Sequence, residues 1–455
     1  MSTHNLPFVP PAPAVFEKDL PLWRFLWNLT QSTVAIWPNC AFEALTVKKR
    51  IMGREFLIAN DPLAVRHVLI TNPTNYRCPT AVRRVARPIL GTGLVLADGD
   101  DWRRQRRLLA AAFTPASVNL LLPHFQAAGL HMLHSIGSES KVNLSMVFRR
   151  TAWEVVFRAL FSVSKDGASE RLNRLAQGYL EGPGRANLFD VLAKSENAFA
   201  FSNRSRERFE NVWFTTIEGL ISERQSSGTD HRDLLDLLLS LKDADTGEPL
   251  SKIEIRDQCA TMLVAGSETT GRLMFWAIYL LTQDIEEQAN SRAEIAGFPP
   301  GRVRGLNDLQ HWPRLRNVLL EALRLYPPAA SIVREAIEAD EVGGERIAAK
   351  TQVWFSAWVM HRHRKFWDQP TAFIPDRFAG KVAPWMQTPS YIPFGAGPRT
   401  CIGFSFALSE AQVVLAMLLQ RYKISLPAGK PVLPIGRTMI EPSYEPIFRL
   451  EAIYA

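Results

Sequence analysis

The chain has 455 residues, with 53 Lys plus Arg against 45 Asp plus Glu, a formal net charge of +8. Hydrophobic residues at 47% and charged residues at 22% exclude a disordered, collagenous or low-complexity chain. Four cysteines (Cys40, Cys78, Cys259, Cys401) lie far apart with no CxxC pair, which argues against a disulfide framework or a zinc knuckle. With no run of Gly, Ser or charge long enough for a linker, residues 1–455 read as a single domain.

In chain order, residues 1–40 form a Pro-rich extension and a first segment, Leu20-Pro21-Leu22-Trp23-Arg24-Phe25-Leu26-Trp27, read as an amphipathic surface helix. It is too interrupted for a membrane span, which needs about 20 consecutive apolar residues. No basic segment leads into an apolar one as in a secretory signal, so a cytoplasmic protein is expected. Alternation near 44–59 predicts strand. Spacings of three and four between apolar residues predict helices over 101–113, 142–162, 206–224, 251–283, 313–325 and 404–421. Stretches 225–231 and 242–249, rich in Ser, Gly and Asp, predict loops. After the Gly343-Gly344 turn signal, residues 345–358 predict strand again. The fold class is mainly α with a small β region.

Within these elements, Trp102 and Arg106 stand at i and i+4 in a basic run with Arg103, Arg104 and Arg107. Such a run can be a solvated face or a nucleic-acid patch, but no nucleic-acid-binding module accompanies it. Ser251-Lys252-Ile253-Glu254 fits a capping box that starts a helix of about 50 Å, at roughly 1.5 Å per residue. Ala265-Gly266-Ser267-Glu268-Thr269-Thr270 lies midway along it, where a glycine and a back-bonding threonine loosen the ladder. Pro313 suits a first turn, and Glu321 and Arg324 share a face of that helix. His131 with His134, and His361 with His363, lack the companions of a metal site and read as packing residues, as do Cys40, Cys78 and Cys259 as buried thiols.

The most informative segment is Phe394-Gly395-Ala396-Gly397-Pro398-Arg399-Thr400-Cys401-Ile402-Gly403, directly before an apolar helix. Gly395, Gly397 and Gly403 suit a tight loop and the close approach of a flat ligand. The helix N-terminus and Arg399 favour a thiolate at Cys401. Such a thiolate serves as nucleophile, redox thiol or metal ligand; no histidine is near in sequence to act as its base, and no second cysteine to resolve it.

This segment resembles the FxxGxRxCxG signature of the cytochrome P450 family at every fixed position. Upstream, the 265–270 segment is similar to the family's AGxET motif, Glu321–Arg324 to its ExxR pair, the stretch from Phe373 to Phe378 to its FxPxRF segment, and Trp102–Arg106 to WxxxR. The resemblance runs from about Trp102 to the C-terminus. It implies a b-type haem between the long helix and the helix after the cysteine loop, with Cys401 as axial iron ligand and Phe394, Gly395, Gly403, Ala265 and Gly266 around it. Trp102, Arg106 and Arg399, with Arg334 as a further arginine, are implied at the haem propionates. Glu268 and Thr269 are implied in proton delivery to O2, the co-substrate. Glu321, Arg324 and Arg377 are implied as a structural cluster bracing the cysteine loop.

The implied reaction inserts one oxygen atom of O2 into a C–H bond of a lipophilic small molecule: a terpenoid, steroid or fatty acid. The chain ends 54 residues after Cys401 with no fused flavin or reductase sequence, so an external ferredoxin or flavodoxin, with its reductase, is expected. Arg103, Arg104 and Arg107 are expected to form its docking face on a monomeric protein without nucleic-acid partners or an integral membrane span. The alternatives are a haem-binding sensor or carrier without turnover, and a peroxide-driven or isomerising enzyme on the same scaffold. The substrate pocket is expected from 76–96, 178–200, 264–265, 329–333 and 438–440, and Arg185 is read as solvent-facing, with pairing to a carboxylate as the alternative.

Overall fold

A computed structural model describes residues 7–453 except 19, 52, 163–166, 188, 191, 192, 194, 197, 228–232 and 382. The fold is organised on one helix, Lys252–Gln283, whose capping box is formed in both directions: Ser251 Oγ accepts from the Glu254 amide at 3.2 Å, and Glu254 accepts from the Ser251 amide at 2.8 Å. Its second half, from Thr270 to Leu281, is buried all round, the mark of a helix that crosses a core rather than lying on it. Against it pack Leu144–Phe161, Pro313–Leu325, Phe404–Arg421, Thr80–Leu90 and Asn203–Ser227.

The closest crossing is with Leu144–Phe161. A Cβ on Gly266 would stand 2.9 Å from a Val156 methyl, and one on Gly271 would stand 3.1 Å from the Arg149 Cα. Gly266 therefore serves packing: its α-carbon faces Val156, and the helix continues through 265–270 without a break. The local loosening expected there takes the form of back-bonding, by the Ser267 hydroxyl to the Leu263 carbonyl at 2.5 Å and by the Thr269 hydroxyl to the Ala265 carbonyl at 2.6 Å.

A five-stranded sheet flanks the helices in the order Thr46–Ile51, Arg54–Ala59, Gln352–Ser356, Ser331–Ala336, Tyr76–Arg77. The expected strand 44–59 is thus a hairpin, turning at Gly53 with φ of 78°. The expected strand 345–358 divides into Glu345–Ile347 and Gln352–Ser356, and its end, Ala357–Met360, is a helical turn. Gly343 and Gly344, with φ of 58° and 80°, make the two-residue turn from Asp340–Val342 into Glu345–Ile347.

Helices Pro313–Leu325 and Phe404–Arg421 keep the expected bounds. Helix Asn203–Ser227 overruns the loop expected at 225–231; the remainder of that stretch, 228–231, lies outside the described residues. The 242–249 loop is present, closed by Lys242 opposite Pro249 and by Asp243, which accepts from the Asp245 and Thr246 amides. Cys78 and Cys259 are buried as expected. Cys40 is not: in the short turn Asn39–Phe42 it is Ala41 and Phe42 that face inward, leaving Cys40 at the surface. No helix among the described residues is long and apolar enough to cross a membrane.

Candidate functional site

The cysteine loop is shaped by its own backbone. Gly395 and Gly397 have φ of 76° and 69°, and a Cβ on Gly397 would fall 2.2 Å from the Leu69 carbonyl oxygen, so only glycine fits there. The Cys401 amide donates to the Phe394 carbonyl at 2.8 Å, closing the loop, and Phe394 is fixed by edge contact with Trp385. Gly403 differs from expectation. Its φ is −91°, open to any residue, and a Cβ there would meet only Phe113 at 3.8 Å. Nothing among the described residues requires glycine at that point.

Cys401 lies deep in the protein, yet its side chain keeps free surface on an internal cleft. Burial pushes its thiol up, and the Gly403 amide and the Arg106 charge only partly oppose this. The helix N-terminus and Arg106 do not outweigh that burial. Among the described residues no three His, Cys, Asp or Glu side chains form a metal cage. A metal held by Cys401 has to bring its other ligands with it, as a porphyrin iron does.

The rim of the cleft is cationic. Arg106, half-buried beside Cys401, makes no side-chain hydrogen bond or ion pair among the described residues. Arg334, in the middle of its strand, bonds only the neighbouring Val333 carbonyl at 3.1 Å, and burial lowers its pKa. Arg399 lies 4.4 Å over the Trp102 ring and donates to the Ala97 carbonyl at 2.9 Å and to Asp98 at 2.7 Å. Asp98 was not legible in the sequence; it also pairs with Arg83 and accepts from the Cys78 amide, tying the loop before helix Gly99–Ala110 to the cysteine loop. Arg106 beside the deep thiol, and Arg334 next to Arg399 and its Trp102 neighbour, fit the iron and the carboxylates of a haem.

Glu321 and Arg324 are fully buried and joined by two bonds of 2.7 and 2.8 Å; Arg377 reaches Glu321 at 3.1 Å. Arg324 also donates to the His361, Pro370 and Ala372 carbonyls, Arg377 to those of Asp368 and Gln369, and Glu321 accepts from the Ile374 amide, so the cluster braces 361–374 rather than the cysteine loop itself. The connection to the loop is His361, whose Nδ1 donates to the Arg324 carbonyl and whose Nε2 accepts from the Ile392 amide at 2.8 Å. That arrangement needs a neutral ring, and burial with Arg324 nearby pushes the His361 pKa down to about 3.

The three arginines expected to form a docking face are already partnered. Arg104 pairs with Glu254, Arg107 with Asp243 and Asp245 at 2.9 and 2.8 Å, and Arg103 with the exposed Asp100. Their charge is largely answered within the chain, because helix Gly99–Ala110 packs its polar face beside the start of the central helix and the 242–249 loop.

Along the central helix, Val264, Ala265, Glu268 and Arg272 share one face of a cavity of about 190 Å³. Helix Thr80–Leu90, the 179–185 segment and residues 437–441 supply the other walls, while 329–333, expected to contribute, do not line it. Arg185, read as solvent-facing, is exposed and stands at the mouth. Glu268 is buried, accepts from Gln177 and lies 3.5 Å from Arg149.

The chain matches the family model described as Cytochrome P450 over residues 43–447. Cyclooctatin synthase of Streptomyces melanosporofaciens is 30% identical over 390 residues, covering 85% of this chain and 84% of its own. Cyclooctat-9-en-7-ol 5-monooxygenase of the same organism is 31% identical over 382 residues, covering 83% and 82%. Among solved structures, retinoic acid-bound cyanobacterial CYP120A1 superposes with a TM-score of 0.79 at 22% identity over 98% of this chain and 100% of that one. The chain belongs to the cytochrome P450 family and has its fold. It is accordingly a monooxygenase-type oxidoreductase of a family that uses a haem-thiolate centre, O2 and electrons from redox partners.

Proposed function

We propose that this chain hydroxylates a lipophilic small molecule at a b-type haem ligated by Cys401, with Trp102, Arg106, Arg334 and Arg399 holding the propionates and a separate ferredoxin or flavodoxin donating electrons. The observation that carries this reading is the deep Cys401 thiol facing a cleft whose rim holds Arg106 and Arg334, neither paired with an acid. The apolar part of the cavity, formed by Val85, Ile89, Leu90, Val95, Val264 and Ala265, suits a lipophilic body. The Streptomyces relative whose name specifies an unsaturated alcohol as substrate supports a lipophilic molecule bearing an oxygen group.

Bound haem supplies the oxidation itself, one atom of O2 entering a C–H bond and the other leaving as water. The protein supplies position and protons. Glu268 is held at the cavity wall by Gln177 and Arg149, and the exposed Glu181, 3.3 Å from Arg149, leads outward to solvent. A proton gained by Glu268 is thus delivered one residue from Thr269. The Thr269 hydroxyl, now on the Ala265 carbonyl, donates into the cleft after a change of χ1, which threonine in a helix readily makes. Cys401→Ala should abolish the red-shifted Soret band of the reduced, CO-bound protein. Retention of that band would refute the ligand assignment.

A further inference from the structure

The cavity is not apolar throughout. Its far end, beyond Glu268, is walled by Arg149, Arg272 and Arg437, with Arg185 at the mouth. Arg149 and Arg272 are not spent on tight ion pairs. Arg272 is only 5% exposed, meets Ser145 at 3.4 Å and Glu441 at 3.3 Å, and leaves its Nε without any partner. Burial, with Arg149 nearby, lowers its pKa against the opposing charges of Glu268, Glu441 and Glu445. Arg149 likewise has an orphaned Nε, and its three carboxylate neighbours, Glu181, Glu268 and Glu445, stand at 3.3, 3.5 and 3.9 Å. Glu441, the acid nearest Arg272, is already taken by Arg437 at 2.5 Å. A buried guanidinium donor without an acceptor costs free energy that a ligand acceptor recovers.

We infer that the substrate carries a carboxylate, which docks on Arg272 at the far end of the cavity while its apolar body lies along Leu90, Val264 and Ala265. This rests on the monooxygenase reading above and names its substrate class. Arg272 and Ala265 are seven residues apart on one helix, about 10 Å along the axis at 1.5 Å per residue. The carbon to be oxidised, near Ala265, is therefore about 10 Å from the carboxylate, on the chain or ring system and not beside the acid group.

The test uses the haem-loaded protein and saturated fatty acids from decanoic to octadecanoic, each against its methyl ester, with affinity read from the low-to-high-spin Soret shift. At least one acid should bind about 10-fold more tightly than its ester, the scale of a charge-assisted hydrogen bond. Arg272→Gln should remove that preference and leave ester affinity within about 2-fold, and Arg272→Lys should restore most of it. Because a buried arginine variant can fail to fold, Arg437→Gln, at an exposed position, gives a second reading: a loss of about 3-fold for the acid alone. Acids that bind no better than their esters, acids that do not bind up to their solubility, or an Arg272→Gln effect equal for both would overturn the inference and leave the arginine wall to water. Failure of the monooxygenase reading shows separately, as a missing red-shifted CO band in the unmutated protein.

Discussion

Cys401 and Glu268 both lie deep in the protein, among different neighbours. Around Cys401 there is one cation, Arg106, and the thiol is pushed up. Glu268, 6% exposed, has the Gln177 amide and the Arg149 guanidinium against it. Glu268→Gln keeps the shape and removes the proton-exchanging group. Turnover should fall by about 100-fold, the usual scale of a lost acid-base group, with ligand-induced spin shifts unchanged. Stopped-flow turnover under O2 within 3-fold of wild type would remove Glu268 from the proton route. At this scale the sequence was most legible where a residue type has one use, as at Cys401. It was least legible where partners come from distant segments: Asp98, Gln177 and Arg149 carried no signal linking them to Arg399 or Glu268.

Among the elements, the central helix and Leu144–Phe161 pack so closely that glycine is required on one of them. Gly271→Val forces its side chain against the Arg149 backbone, which cannot move as a side-chain tip can. The protein should lose about 1–3 kcal/mol, measured by urea unfolding, and the displaced Arg149 should weaken haem-pocket binding with it. Helices with sharp start and stop signals, such as Pro313–Leu325 with proline in its first turn, were legible to the residue. Thr80–Leu90, amphipathic but interrupted by Pro88, and Leu122–Ile136, apolar on several faces, were not. Thr80–Leu90 is nonetheless the element that roofs the cavity.

For the molecule as a whole, two buried groups set opposing pH responses. His361 keeps its proton off until about pH 3 in the folded state but takes it up near its ordinary value of 6.5 when unfolded. The unfolded state therefore binds more protons between those limits, and stability falls as pH is lowered through them. Glu410, in the helix after the cysteine loop, is fully buried with neither carboxyl oxygen partnered, and burial pushes its pKa well up. Its proton is retained in the folded state and lost in the unfolded state above about pH 4.5, so stability falls as pH rises past that point. Glu410→Met should stabilise the protein by about 1–3 kcal/mol at pH 7.5, the scale of an unpaired buried polar group, with a smaller gain at pH 4.5. Urea midpoints at the two pH values measure this; an equal gain at both would show that Glu410 does not titrate between them.

The sequence by itself determined the family, the cysteine, the mid-helix acid and alcohol, and most helix bounds, because motifs and caps are local and their chemistry is written in adjacent residues. Tertiary structure decided which charges are free. Arg103, Arg104 and Arg107 look alike in sequence to Arg106, yet three find carboxylates and one faces the cleft. It also decided that Arg272, an ordinary helical arginine in sequence, stands under-paired in a cavity wall. The physical reason is the same in each case. A charge acts through what lies within a few ångströms of it, and that neighbourhood is assembled from segments far apart along the chain.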